Sequence, residues 1–192
     1  MQTRALPIVE QGQTAYLGIS RDISREHRQR QLRDKLNYDF ALLTEHAFFE
    51  AVCHHIAESL GLEYVLAGAV KTGADTVNVQ GGWALGAPLP AFDYSLIGTP
   101  CEKVIGDKPC YYTGTVQDFF PDDHWLIENG IQSYFGVPLF NAQHGSLGIL
   151  VGLATTVRND ADEVIELLEL AAPRISGEIE RERASAELTD SE

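Results

Sequence analysis

Basic residues are scarce in this chain: 14 Lys and Arg stand against 28 Asp and Glu, a formal charge of −14. That balance lacks the cationic footprint nucleic acids require, and an anionic bilayer repels it. Partners of both kinds are therefore excluded at the outset, and the acidity itself serves solubility. Apolar runs are short, far below the ~20 residues of a membrane helix. Arg4 is followed by no apolar core of sufficient length, so no signal peptide is expected. Cysteine is sparse and odd in number, three residues without metal-ligand spacing, which fits a reducing cytoplasm and no metal site. The phosphate-cradling GxxxxGK(S/T), the nucleophile elbow GxSxG and the zinc motif HExxH are all missing. Hydrolase and kinase chemistry thus have no parts here. Asp122-Asp123 and Asp160 to Asp162 are better explained as helix starts than as metal sites.

What is present is core material. Of 192 residues, 44% are apolar, with eight Phe and seven Tyr, enough for one domain of about 100–150 residues plus extensions. The organising stretch is Ser133 to Thr155, SYFGVPLFNAQHGSLGILVGLAT. Leu147, Ile149, Val151 and Leu153 alternate with Gly148, Leu150 and Gly152, the period of two that marks a strand. Asn141 to Gly145 supplies the turn between this strand and the one before it. Neither strand has a polar face, so the hairpin belongs at the centre of a sheet covered on both sides.

Around it the chain parses in order. Ala5 to Ile23 predicts a small β-hairpin turning at Gln11-Gly12-Gln13. Asp22 is placed to cap a helix through REHRQRQLRDKLNYDFALL, and Thr44 to Leu60 predicts a second helix, ended by Gly61. In that second helix Cys53 shares an apolar face with Phe49, Val52, Ile56 and Leu60. His54 and His55 point elsewhere, as surface imidazoles. Leu62 to Lys71 and Thr76 to Ala84 predict two strands, and Leu85 to Asp93 a loop. Thr99 with Glu102 predicts a capping box, with Pro100 at the first helical position and Gly106 as the stop. This puts Cys101 in a first turn, where free N–H groups favour a thiolate. Cys110 to Thr113 predicts a short strand, and Asp122 or Asp123 starts a short helix that Gly130 ends. Asp160 to about Glu187 predicts a long helix that Pro173 bends.

Charge and apolar residues both mark the two helical ends. Arg21 to Tyr38 carries six basic against three acidic residues, whereas Asp160 to Glu192 carries three against eleven. The two segments suit each other, within one chain or between two, and equally suit solvent. Leu32, Leu36, Phe40 and Leu43 form a narrow stripe, matched by Leu168, Ile175 and Ile179 on the last helix. Such a stripe fits a dimer seam, the favoured reading, or packing on its own domain.

Two resemblances follow from these residues. Gly18-Ile19-Ser20-Arg21-Asp22-Ile23-Ser24 resembles the closing strand of a PAS sensory domain and the start of its exit helix. GTPCEKV at 98–104, FFPDDHWL at 119–126, GIQSYFGVPL at 130–139 and GSLGIL at 145–150, in that order, resemble a GAF domain. The division this implies is a PAS remnant over 1–23, a linker helix over 24–43, a GAF domain over 44–181 and a further linker from 182. The implied fold is α+β, a five- or six-stranded antiparallel sheet. Its N- and C-terminal helices lie on one face, with short helices and loops on the other. A small ligand would sit beneath those loops, near Tyr64, Trp83, Tyr94, Cys101, Cys110, Tyr112, Trp125 and Tyr134. No Asn-Lys-Phe-Asp-Glu set, bilin-attachment cysteine or haem histidine is visible, so ligand and cofactor stay unknown.

The resemblance implies a sensory or regulatory module without its own chemistry. It would act as a homodimer through its terminal helices, in a bacterial sensor kinase or GGDEF-type cyclase whose output lies elsewhere. The alternative is a thiol reductase like the free methionine sulfoxide reductases. Cys101 would then attack and Cys110 resolve.

Overall fold

The computed structural model describes residues 2–10 and 13–21 (backbone only), 24–71, 75–106 and 108–189. Strands β1 (Gln2–Glu10) and β2 (Gln13–Arg21) pair antiparallel as a sheet of their own, with Leu6 opposite Leu17. The expected turn residues Gln11 and Gly12, and the capping Asp22, lie outside the described residues. Helix α1 (Ser24–Asp34) passes into a π-helical turn (Lys35–Asp39). The helix then breaks: residues 41–44 link it to α2 (Glu45–Leu60), with Leu42 91% exposed.

Seven strands build the main sheet. They are β3 (Tyr64–Val70), β4 (Thr76–Ala84), β5 (Ala87–Leu89), β6 (Phe92–Ser95), β7 (Cys110–Thr113), β8 (Ser133–Phe140) and β9 (Ser146–Ala154). Their order is β5-β4-β3-β9-β8-β7, with β6 also on β4, and every pairing is antiparallel. Two strands come from the stretch expected to be a loop or its border. Leu85 and Gly86, both at positive φ (50° and 85°), form a tight hairpin turn that folds β5 back onto β4. A short 3₁₀ helix (Pro100–Lys103), α3 (Val116–Phe119) and α4 (His124–Glu128) follow the sheet's first half. The chain closes with α5 (Ala161–Thr189), which continues through Pro173.

The central β8–β9 hairpin is buried on both faces, as its sequence demands. On one side Val65, Ala67, Phe135, Val137 and Leu150 meet Phe48, Val52 and Ile56 of α2 and Leu167, Leu168 and Ile175 of α5. On the other, Leu66, Val77, Val79, Ile149, Val151 and Leu153 meet Leu96, Val104, Val116, Phe120 and Leu126. Leu147 departs from the expected alternation. Leu139 pairs with Gly148 but Phe140 with Ser146, so Leu147 is the extra residue of a bulge in β9 and joins the helix side.

The terminal stripe closes within the chain. Leu32 is fully buried and Leu36 and Phe40 nearly so, in one cluster with Leu168, Ile175 and Ile179, and Leu43 packs partly buried against it. Of the two packings, the single chain takes the intrachain one. The opposite charges meet there too. Arg25 Nε donates to Glu166 at 2.8 Å, Arg28 Nε to Glu163 at 2.6 Å and Gln29 Nε2 to Glu166 at 2.7 Å.

Glu178 fixes the joint between α1 and α2. It is 1% exposed, and its carboxylate accepts the Glu45 N–H (2.8 Å), an Arg174 N–H (3.2 Å) and Arg181. Glu45 itself sits at φ 55°, a left-handed conformation that costs a non-glycine residue about 1 kcal/mol. Burial alone raises a carboxyl's pKa, but Arg181, the Glu45 N–H and Arg174 outweigh it and hold Glu178 below the ordinary 4.5. A depressed carboxyl contributes stability that is full above its unfolded value and lost as pH falls through the folded one. Glu178→Gln is therefore expected to cost about 1–3 kcal/mol at pH 7 in urea unfolding. The gap from wild type should narrow below pH 4.5.

Glycine in β9 reflects close strand approach. A Cβ on Gly148 would lie 2.0 Å from the Gly68 carbonyl oxygen, whereas one on Gly177 in α5 would meet nothing within 4 Å. Gly148→Ala is expected to destabilise by about 2 kcal/mol or more, and Gly177→Ala to stabilise by up to ~1 kcal/mol. Thermal melts of the two variants check the opposite signs.

Candidate functional site

The loop-side layer gathers most of the residues singled out by sequence. Tyr94 leaves β6, Tyr134 stands on β8, and both phenol O–H groups donate to Cys101 Sγ, each at 3.3 Å. Tyr112, on β7 opposite Tyr134, packs 6.2 Å from its ring and against Phe119 and Phe120. Tyr64 on β3 meets Trp125 edge-on at 5.1 Å and donates to Asn129 Oδ1 at 3.3 Å. Cys110 is half-buried on β7, opposite Gly136. One predicted member is elsewhere. Trp83 lies on the helix side, stacked on His54 of α2 at 3.8 Å. The cause is a bulge in β4: Val79 pairs with Gly68 but Gly81 with Ala67, so Gln80 is extra and every later side chain changes face.

The local setting of Cys101 also differs from the expected one. Its helix is a single 3₁₀ turn, and Thr99 makes no side-chain cap. Thr99 Oγ1 instead donates to Leu96 O at 2.8 Å, and Glu102 accepts the Gly98 N–H at 3.2 Å. Desolvation then governs the thiol. Cys101 is 7% exposed, and burial raises its pKa against the opposing pull of the Tyr134 and Tyr94 hydroxyls. Both phenols are raised well above 10.0 as well, first by burial and then by the nearby sulfur. At neutral pH the cluster is a set of neutral donors, and Cys101 is a thiol.

Sequence reasoning missed the residues that fill this layer. Leu96, Val116, Phe120, Leu126 and Ile131 are each nearly buried over the sheet, and they occupy the space beneath the loops. A ligand bound there has to part these side chains. Val116 and Ile131 each stand alone in a polar segment, whereas Leu96, Phe120 and Leu126 each sit beside another large apolar residue. Gln117 ties the cover together, its Nε2 donating to Leu126 O (3.1 Å) and Ile131 O (2.9 Å). Asp123 caps α4 as expected, accepting the Leu126 N–H at 3.3 Å. Open hollows lie elsewhere. One of about 480 Å³ sits beside Arg25, Tyr111, Arg158 and Asp162. Another of about 520 Å³ is bounded by Pro138, Phe140, His144 and Pro173.

Among the described residues no group of three or more His, Cys, Asp or Glu is placed to hold a metal ion. Among them, too, no helix is long and apolar enough to cross a membrane.

No family model matches the chain, and no curated relative does. Solved structures do resemble it. The GAF domain of a phosphoenolpyruvate-protein phosphotransferase from Coxiella burnetii superposes with a TM-score of 0.64 at 16% identity, over 87% of this chain and 99% of that one. The free methionine-R-sulfoxide reductase from Neisseria meningitidis, solved with its substrate, gives 0.63 at 16% identity, over 85% and 96%. The phycoerythrobilin-bound GAF domain of a cyanobacterial phytochrome gives 0.60 at 14% identity, over 88% and 100%. At these identities the likeness establishes a GAF-type fold, and that alone.

The thiols are ordered by burial, which gives a direct check. Alkylation of the native protein near pH 7.5 is expected to modify Cys110 first. Cys101 and the fully buried Cys53, its thiol raised by desolvation, should react only on unfolding. Peptide mapping by mass spectrometry reads the order.

Proposed function

We propose that this chain is a non-catalytic sensory or regulatory GAF module of a bacterial signal-transduction protein, such as a sensor kinase or a GGDEF-type cyclase. In this reading residues 1–23 are the tail of a PAS domain, 24–43 the linker helix, 44–181 the GAF domain and 182–192 the start of an exit linker. The observation that carries it is the clamp of α1 onto α5 by Arg25, Arg28 and Leu32. A signal arriving through α1 meets α5 at its first turns, and α5 extends ~43 Å to its other end. Any change in how the two helices pack is thereby delivered at a distance, as a shift between packings. A small ligand between the sheet and residues 94–104 would bias that equilibrium by parting the loop-side cover. The identity of the ligand is left open by the side chains that line it. The module acts as a homodimer in this reading, with 22–43 and 160–187 at the contact.

A second reading has one observation in its favour, the fold shared with the Neisseria reductase. It needs Cys101 as nucleophile and Cys110 as its resolving partner. The buried, protonated state of Cys101 weighs against it.

The two readings part on one assay. Incubated with free methionine-R-sulfoxide and a dithiol reductant, the protein is expected to give no turnover above the Cys101→Ser variant. Cys101-dependent turnover would make the chain an enzyme. Native mass spectrometry of the freshly purified protein tests the ligand, and light scattering at micromolar concentration the dimer. A mass fixed at 21.1 kDa at every concentration would remove the dimer from this reading.

A further inference from the structure

The α1 segment is built as a detachable arm. Three kinds of contact between residues 24–40 and the rest of the chain stand out. These are the apolar insertion of Leu32, Leu36 and Phe40, the edge-on contact of Phe40 with His55 at 6.4 Å, and the polar clamp of Arg25, Arg28 and Gln29 on Glu163 and Glu166. The arm is joined to α2 by residues 41–44, of which Ala41, Leu42 and Thr44 are exposed. Leu42 is 91% exposed, an unusual place for a leucine in a four-residue link. At the end of the link, Glu45 is held in a left-handed conformation by its N–H bond to buried Glu178. An arm, an exposed link and a strained hinge residue latched by one carboxylate are the parts that exchange between copies requires.

We propose that α1 exchanges between two copies of this chain, so that the arm of each lies on α5 of the other. This deepens, and rests on, the reading that the terminal helices form a homodimer. Every arm contact is then reproduced across the pair: Leu32 and Leu36 fill the partner's helix-side core, and the two basic residues meet the partner's acids. Straightening of the links relieves the left-handed Glu45. Around the two-fold axis the two links lie side by side, which covers the exposed leucine. The partner is thus a second copy, and its recognition surface is the stripe already buried in the monomer.

Charge reversal tests this. One chain carries Arg25→Glu and Arg28→Glu, the other Glu163→Arg and Glu166→Arg. Each alone sets like charges together in its own clamp. In an exchanged heterodimer one clamp becomes Glu on Arg and the other reverts to Arg on Glu, so both are satisfied. Mixing at tens of micromolar is expected to give a species of about twice 21.1 kDa, at about tenfold the fraction seen with either chain alone. If the mixture stays monomeric, arm exchange is wrong. If all samples dimerise alike, it is also wrong, because the dimer then uses another face while the relay reading survives. A second measurement is independent of variant stability. In the pair Arg28→Cys with Glu163→Cys, oxidation after incubation at high concentration should give a covalent dimer whose share rises with that concentration. Monomer-sized product alone overturns the proposal.

Discussion

A sheet with no polar face sets the terms for everything else in this molecule. Strands β8 and β9 are apolar on both sides, so each side has to be walled, and the two walls are of different kinds. Two long helices, α2 and α5, cover one side, and short helices and loops cover the other. The asymmetry follows from the chain's ends. Among the described residues α2 and α5 are long enough to span the sheet, whereas the helices between β6 and β8 run to four or five residues each. The helix side is consequently a continuous apolar layer. The loop side is a patchwork in which three polar groups, two phenols and a thiol, satisfy one another.

Within that frame, the joint at Glu178 decides where the first helix goes. Without the Glu45 N–H and two arginines beside it, a carboxylate at 1% exposure would be untenable in the core. Satisfied as it is, it anchors the start of α2 to the middle of α5. Arg158 has the matching role at the other end. Its guanidinium donates to the Leu60 and Gly61 carbonyls that end α2 and is held by Asp160 at the start of α5. Both ends of α2 are therefore pinned to α5, and α1 is the piece left outside the pins.

Much of this was legible from residues alone, and the failures have identifiable causes. Period-two alternation found β9, turn residues marked off β3, β4 and β8, and helical periodicity found α2 and α5. Periodicity cannot see a bulge, however, and each error of face traces to one. The extra residue Gln80 turns Trp83 away from the loops, and Leu147 is itself the extra residue of the β9 bulge. The β4–β5 turn was hidden because leucine, rather than asparagine or glycine, takes its first left-handed position. The stripe of Leu32, Leu36 and Phe40 was plain, but an apolar seam carries no mark of whether its partner is the same chain or another. Cys101 was placed correctly, at the start of a short turn over the sheet. Its chemistry was not, because a helix-dipole argument needs more than one turn of helix and an exposed sulfur.

That sulfur has a use independent of reactivity. It accepts hydrogen bonds from a residue at the outer strand of the sheet, Tyr94, and from one at its centre, Tyr134. The stretching vibration of a thiol falls in a spectral window where protein and water absorb little, and its frequency shifts with the hydrogen bonds the sulfur takes part in. Cys101 is therefore a native infrared reporter, with no label attached, for whether the loops lie closed on the strands beneath.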